Sequence, residues 1–327
     1  MELVEKMLAG DVLSLARLIS KVERGNSEVP SIMKLIYAHP GNGYSVGITG
    51  PAGAGKSTIV DRLTTVIRQQ QLTAGIICAD PSSPFSGGAV LGDRIRMQQH
   101  YLDKGVFIRS MATRGSQGGL PPGTSNVIKL LSSFGKDYIL VETVGVGQTE
   151  LDVLQYTDTI IVVLTPEGGD TIQAMKAGLL EIADIFVVNK SDRPGADSMV
   201  SDLMSMLALR STSTFWEVPV LCVEAINNVG IDELFKVITR HRETMEQTGL
   251  LLERRKKQRR NEFMEAVENR LEDELSQLIQ TDGELNEYLK RVEEAEITPL
   301  SAAEDILRSG KLCSSLSKFL KDNNHKK

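Results

Sequence analysis

Seven short apolar runs, YSVGITG, TAGIICAD, GVFIRS, DYILVET, TIIVVLT, DIFVVNK and VPVLCVE, recur between Tyr44 and Glu224. Each is continuous rather than alternating, the pattern of a strand covered on both faces, and such strands belong to a mostly parallel sheet. Between most of them lie stretches with helical spacing, notably 56–70, 123–134, 170–183 and 198–209. Parallel neighbours need a crossover connection, and repeated βαβ units supply it. The expected fold is α/β, with a doubly wound, mostly parallel sheet.

Flanking this core, residues 2–38 read as two helices broken near GNSEVP, with Pro30 opening the second. After Ile231 helical periodicity continues to about Glu294, and Ser301 is the expected cap of one more helix. The 327 residues exceed the usual size of one compact domain, and the expected division is a helical extension over 1–40, a core domain over 41–248 and a helical arm over 249–327. A net charge of -6 carries no general attraction for nucleic acid or anionic lipid, so neither is an expected partner. The basic cluster ERRKKQRR at 253–260 lacks interleaved aromatics and reads as a solvated helix face. No run approaches the ~18–20 apolar residues of a membrane span. Cys78, Cys222 and Cys313 are too scattered for a disulfide framework or a zinc knuckle, and the N-terminus has no targeting pattern, so the cytoplasm is the expected location.

Chemistry concentrates at the ends of the apolar runs. GPAGAGKS, Gly50–Ser57, follows the first run and opens a helical stretch, the context in which G-x-x-x-x-G-K-[ST] cradles a polyphosphate. Backbone N–H groups around Gly53, Ala54 and Gly55 can converge on phosphate oxygens beside the positive end of the helix. Lys56 would reach the β and γ phosphates, the Ser57 hydroxyl would ligate Mg²⁺, and Thr58 would lie near the α phosphate.

Asn189-Lys190-Ser191-Asp192 at the end of DIFVVNK bears on the base. A carboxylate at Asp192 can accept from guanine N1–H and N2–H₂, which adenine does not offer, while the Lys190 stem lies over the purine and Asn189 braces the loop. GTP is thus the expected nucleotide. The loop after DYILVET resembles the D-x-x-G loop of GTPases, with Glu142 in the acidic place facing Mg²⁺ and the Gly145 N–H at the γ phosphate. Ras-like enzymes put a water-orienting Gln directly after that glycine. Val146 stands there instead, so slow unassisted hydrolysis is expected, with Gln148 or a partner completing the site. Asp80 and Asp93 are further candidates for the Mg²⁺ or catalytic-water shell, or else caps and ion-pair partners.

CADPSSPFSGGAVLGDRIRM, FIRSMATRGSQGGL, VETVGVGQTE and TIQAMKAGLLEIADIFVVNKSD together resemble the MeaB/ArgK family of P-loop GTPases, chaperones associated with methylmalonyl-CoA mutase. The resemblance covers nearly the whole chain. Its implied architecture is that of the dimerising metallochaperone and signal-recognition GTPases. It implies GTP hydrolysis coupled to loading and protection of the adenosylcobalamin of an acyl-CoA mutase, by a homodimer joined through C-terminal arms. It also assigns Lys56 and Ser57 to phosphate and Mg²⁺, and Asp80, Asp93 and Glu142 to the magnesium and catalytic shell. In EGGDTIQAMK, Asp170, Gln173 and Lys176 become candidates for signalling to the mutase. One departure stands out: the family's base loop reads S-A-L, whereas this chain has Glu224-Ala225-Ile226, leaving the Ala225 N–H to serve guanine O6. Cobalamin binding by the chain itself is not expected, since D-x-H-x-x-G is absent. The alternatives are a small-molecule or protein kinase linked to amino-acid transport, for which no acceptor site is evident, and a metal-delivery GTPase, for which no His-rich tract or Cys-x-x-Cys is present.

Overall fold

The computed structural model describes residues 1–80, 94–113, 120–144, 153, 155–166, 178–209 and 215–308. Asp93, Gly145, Gln148, Asp170, Gln173 and Lys176 lie outside them. The chain divides into two compact units, Met1–Arg255 and Lys256–Lys327.

In the first unit the seven apolar runs form one parallel sheet: β1 (Tyr44–Thr49), β2 (Ala74–Asp80), β3 (Val106–Ala112), β4 (Tyr138–Glu142), β5 (Thr159–Leu164), β6 (Ile185–Asn189) and β7 (Val220–Val223), in the order β3-β2-β4-β1-β5-β6-β7. Every residue of β1, β2, β4, β5 and β6 is buried, which is why their sequences do not alternate. Alternate side chains supply two separate cores. Ile77, Val141, Val162 and Val188 face one side with α2 (Val12–Glu23), α3 (Val29–Tyr37), α5 (Thr124–Ser133) and α7 (Ala196–Ala208). Ile76, Leu140, Val163 and Val187 face the other with α4 (Lys56–Gln69) and α8 (Ile231–Gln247). β1 is central, between β4 and β5, so the loop at its carboxyl end opens at the point where the chain switches from one half of the sheet to the other.

The N-terminal region holds three helices, not two. A helix over Glu2–Leu8, α1, is separated from α2 by Gly10, which takes φ +95, and Asp11, whose carboxylate accepts from Leu13 N at 3.4 Å and Ser14 N at 3.0 Å. Pro30 lies in the first turn of α3. A short turn, α6 (Leu180–Ile182), precedes β6. The helical region after Ile231 is likewise divided: α9 (Leu250–Thr281) follows Gly249 at φ +75, and in the second unit Asp282 caps α10 (Gly283–Glu293), accepting from Glu284 N at 3.0 Å and Leu285 N at 3.2 Å. Before α11 (Pro299–Arg308), the Thr298 hydroxyl accepts from Ser301 N at 3.2 Å, so Thr298 rather than Ser301 is the cap.

At the amino ends of the strands the basic cluster has a use that its composition does not announce. Arg254 donates twice to Asp184, at 2.8 and 3.1 Å, and Arg255 donates twice to Asp158, both at 2.8 Å. Two-point guanidinium–carboxylate pairs hold orientation as well as charge. Asp158 also accepts from Ser45 N and Oγ, both at 2.9 Å, and Asp184 accepts from Ile160 N at 2.8 Å. The start of α9 is thereby pinned to β1, β5 and the entry to β6, and this part of the cluster is not a solvated face.

Beneath those pairs Tyr44 Oη, Thr159 Oγ1 and His241 Nδ1 form a buried chain, with 2.6 Å between the hydroxyls and 2.8 Å from Thr159 to the ring. Burial pushes His241 below the ordinary histidine range, and Asp184, 3.6 Å from its Nε2, opposes this only in part. The groups around it are Tyr44, Asp158, Asp184, Arg254 and Trp216. An unfolded histidine takes up its proton near pH ~6.5. The unfolded chain therefore binds more protons just below that pH, and stability present above it is lost as pH falls towards the folded value. Thermal midpoints are expected to fall from pH 6.5 to pH 5, and His241→Asn, whose amide can meet Thr159 in place of Nδ1, should flatten that slope. Asp61 and Asp103, held below the usual carboxylate range, act at more acid pH and leave the window to His241.

Candidate nucleotide site

The loop from β1 to α4 needs glycine at two positions for clear reasons. Gly50 has φ +137, and a Cβ there would lie 2.1 Å from Val163 O. Gly55, at φ +89, caps α4, and a Cβ there would meet Asn189 Nδ2 at 2.2 Å. Any side chain would push the loop off β5 or off the end of β6. The Lys56 ammonium, buried at the first position of α4, donates to Gly50 O at 2.7 Å and Pro51 O at 3.0 Å and so spans the loop. Ser57 Oγ donates to Glu142 Oε1 at 2.6 Å. Glu142 ends β4 beside Ile48 of β1 and Cys78 of β2, two residues before Asp80 closes β2. Both carboxylates are buried. One hydroxyl and two buried carboxylates at neighbouring strand ends are hard oxygen donors, the chemistry that suits Mg²⁺ sharing its shell with phosphate.

A cavity of about 500 Å³ opens above this end of the sheet. Gly53, Gly55, Lys56, Ser57 and Thr58 form its phosphate-loop wall, and Glu142 its floor beside β1. Asn189 comes from the end of β6, Lys190 and Asp192 from the loop after it, and Ala225 and Ile226 from the 3-10 turn Ala225–Asn227 after β7. Ala54 is buried behind the wall. The residues expected at the phosphates and those expected at the base thus line one cavity, except Ala54, buried behind the wall, Asp80, buried at the neighbouring strand end, and Asp93 and Gly145, which fall outside the described residues, as do the expected signalling residues Asp170, Gln173 and Lys176.

The buried Asn189 amide ties the two halves together. Its Nδ2 donates to Ala54 O at 2.8 Å, and its Oδ1 accepts from Ala225 N at 3.1 Å. The Ala225 N–H, expected to be offered to guanine O6, is directed at Asn189 in this structure. Lys190 takes φ +59, a left-handed turn that costs a side-chain-bearing residue roughly 1 kcal/mol, and Ser191 N donates to Val223 O at 3.2 Å. Together they turn the chain so that Asp192 lines the cavity. Arg193, Glu224 and Asn227 also line it, and sequence reasoning assigned none of them a contact. Glu224 Oε2 accepts from Asn227 Nδ2 at 3.2 Å, and the backbones of Glu224 and Val229 exchange hydrogen bonds at 3.0 and 3.1 Å, closing the loop on itself.

Among the described residues no helix is long and apolar enough to cross a membrane. A family model described as methylmalonyl-CoA mutase-associated GTPase MeaB matches residues 15–280. A Pyrococcus abyssi protein bearing a provisional GTPase name is 48% identical over 94% of this chain and 95% of its own length. The GTPase ArgK of Escherichia coli is 32% identical over 79% of this chain and 80% of its own. The crystal structure of a LAO/AO transport system kinase, 24% identical, shares the fold with a TM-score of 0.69, covering 98% of this chain and 97% of that one. With the family match spanning the phosphate loop, both acidic strand ends and the base loop, the chain belongs to the MeaB family of GTPases.

Proposed function

We propose that the chain hydrolyses GTP to GDP and phosphate with Mg²⁺, and uses the cycle to govern adenosylcobalamin loading and protection of an acyl-CoA mutase such as methylmalonyl-CoA mutase. The observation that carries the nucleotide half is that one cavity is lined by Lys56 and Ser57 of the phosphate loop and by Asp192 after β6, with Asn189 bonded to both Ala54 and Ala225. The mutase half rests on the family, whose description names that association.

On binding, the Lys56 ammonium would exchange the Gly50 and Pro51 carbonyls for phosphate oxygens, and the loop N–H groups would face the same charge. Ser57, Glu142 and Asp80 are the residues to hold Mg²⁺, which supplies neutralisation of charge on the β and γ phosphates. Asp192 accepts from the guanine edge, the Lys190 stem covers the ring, and the half of the turn formed by Ala225 and Ile226 bounds it. Asp93 and Gly145 complete the catalytic shell in this reading. Asp170, Gln173 and Lys176 carry the nucleotide state to the mutase. With Val146 after Gly145, the unassisted rate is slow.

A homodimer through the C-terminal arms is part of the same proposal. Phe263, Met264, Val267 and Leu271, at positions i, i+1, i+4 and i+8 of α9, are exposed, as a helix awaiting an apolar partner would leave them.

The test is phosphate release from GTP by the full chain, alone and with apo- or holo-mutase. The expected result is release only as inorganic phosphate, no faster than ~10⁻² s⁻¹ alone and faster with the mutase. Transfer to a small-molecule or protein acceptor would overturn the assignment, and a rate indifferent to every acyl-CoA mutase would remove the partner.

A further inference from the structure

Arg62 lies on α4, beyond the turn that carries Lys56 and Ser57, and sequence reasoning gave it no task. Its guanidinium reaches across to the base loop, where Nε donates to Ala225 O at 3.2 Å and Nη2 donates to Ile226 O at 3.4 Å. Ala225 is buried, and its N–H already donates to Asn189 Oδ1. One residue is thus held at its N–H by Asn189 at the end of β6 and at its C=O from the phosphate-binding helix. Ile226 is held at its carbonyl while its side chain, 75% exposed, lines the cavity at the base end. An exposed apolar side chain lining the cavity offers a surface that a flat apolar group entering it would cover.

We propose that Arg62 is a positioning residue for base recognition: it fixes the 225–227 turn against α4, so that Ile226 meets the purine and Asn189 keeps its place between the two loops. The inference rests on the guanine reading above. Charge-assisted bonds to two successive carbonyls restrain both translation and tilt, which a single contact does not. Because Arg62 also sits on the helix whose first turn bears Lys56 and Ser57, base loop and phosphate loop share one rigid support.

Calorimetry on the full chain with magnesium present, titrating GDP and, separately, inorganic pyrophosphate, tests this. Arg62→Ala is expected to weaken GDP about tenfold while leaving pyrophosphate within about twofold. Arg62→Lys, which keeps the charge and can reach one carbonyl, should recover part of the loss. A general disturbance of the fold would weaken both ligands together, and that result, or unchanged GDP affinity, overturns the inference. If Arg62→Ala does not fold, Arg62→Lys and Arg62→Gln carry the same comparison. A wild-type chain that takes up pyrophosphate but not GDP overturns the guanine reading and this inference with it. Wild-type GDP binding matched by Arg62→Ala overturns this inference alone.

Discussion

Lys56→Ala is expected to lower GTP turnover by at least about 10²–10³-fold, to the background of the assay, while the chain remains folded. The ammonium is a buried cation at the first position of α4, and its hydrogen bonds to Gly50 O and Pro51 O hold it over the loop in which phosphates would lie. Removing it withdraws both a bond across the loop and the charge that offsets the developing negative charge of the transferred phosphoryl group. The first effect is structural and local. Gly50 and Gly55 still give the loop its turn, and the core on which α4 packs, Ile59, Val60, Leu63 and Ile67, is untouched. Thermal midpoint should therefore change little, and the loss should appear in phosphate release and in nucleotide affinity. Lys56→Arg makes a sharper control: it keeps the charge, but its planar fork does not match the two carbonyls that a tetrahedral ammonium reaches. Turnover surviving in Lys56→Ala within about tenfold of wild type would mean that this loop does not serve phosphoryl transfer.

The division between what the residues announced and what they concealed follows the range of the interaction. Strands buried on both faces declare themselves through uninterrupted apolar runs, and the phosphate loop through glycines at fixed spacing, because burial and φ are imposed locally. Asn189 was legible for the same reason, as the brace of its own loop. Its bonds to Ala54 and Ala225, however, span 135 and 36 residues. Contacts between distant segments leave no periodic signature. The pairing of Arg254 with Asp184 joins residues 70 apart, and that of Arg255 with Asp158 joins residues 97 apart. Neither can be read from ERRKKQRR, which looks like any solvated helix face until the sheet brings two aspartates beneath it. Arg62 and the Ala225 carbonyl, 163 residues apart, are a further case. Helix ends failed differently. Gly10 and Asp11 carry a clear stop and start, but the apolar stripe of the first twenty residues continues across them, and periodicity masked the break.

Asp192→Asn is expected to reverse base preference, with GDP affinity falling about 10²-fold or more and xanthosine diphosphate becoming the better ligand. The carboxylate lines the end of the cavity remote from Lys56 and Ser57 in the proposed arrangement, and it is presented by backbone that changes little with its side chain: Lys190 at φ +59, Ser191 N bonded to Val223 O, and Arg193 N bonded to Lys190 O at 3.0 Å. Asparagine is close in shape, so the loop should keep its course and only the hydrogen-bonding pattern should alter. Against guanine, a carboxylate accepts from N1–H and N2–H₂ together. An amide can accept one of these but sets its own N–H₂ against the other, leaving donors facing donors in a partly desolvated site. Xanthine carries a carbonyl in place of the 2-amino group, and the amide's donor and acceptor then each find a partner. Competition between guanosine and xanthosine diphosphates for the wild type and the variant reads this directly, and xanthosine triphosphate should restore phosphate release that GTP no longer supports. Guanine preference unchanged in the variant would place base recognition elsewhere in the cavity, on Arg193, Glu224 or Asn227, whose polar groups share that wall.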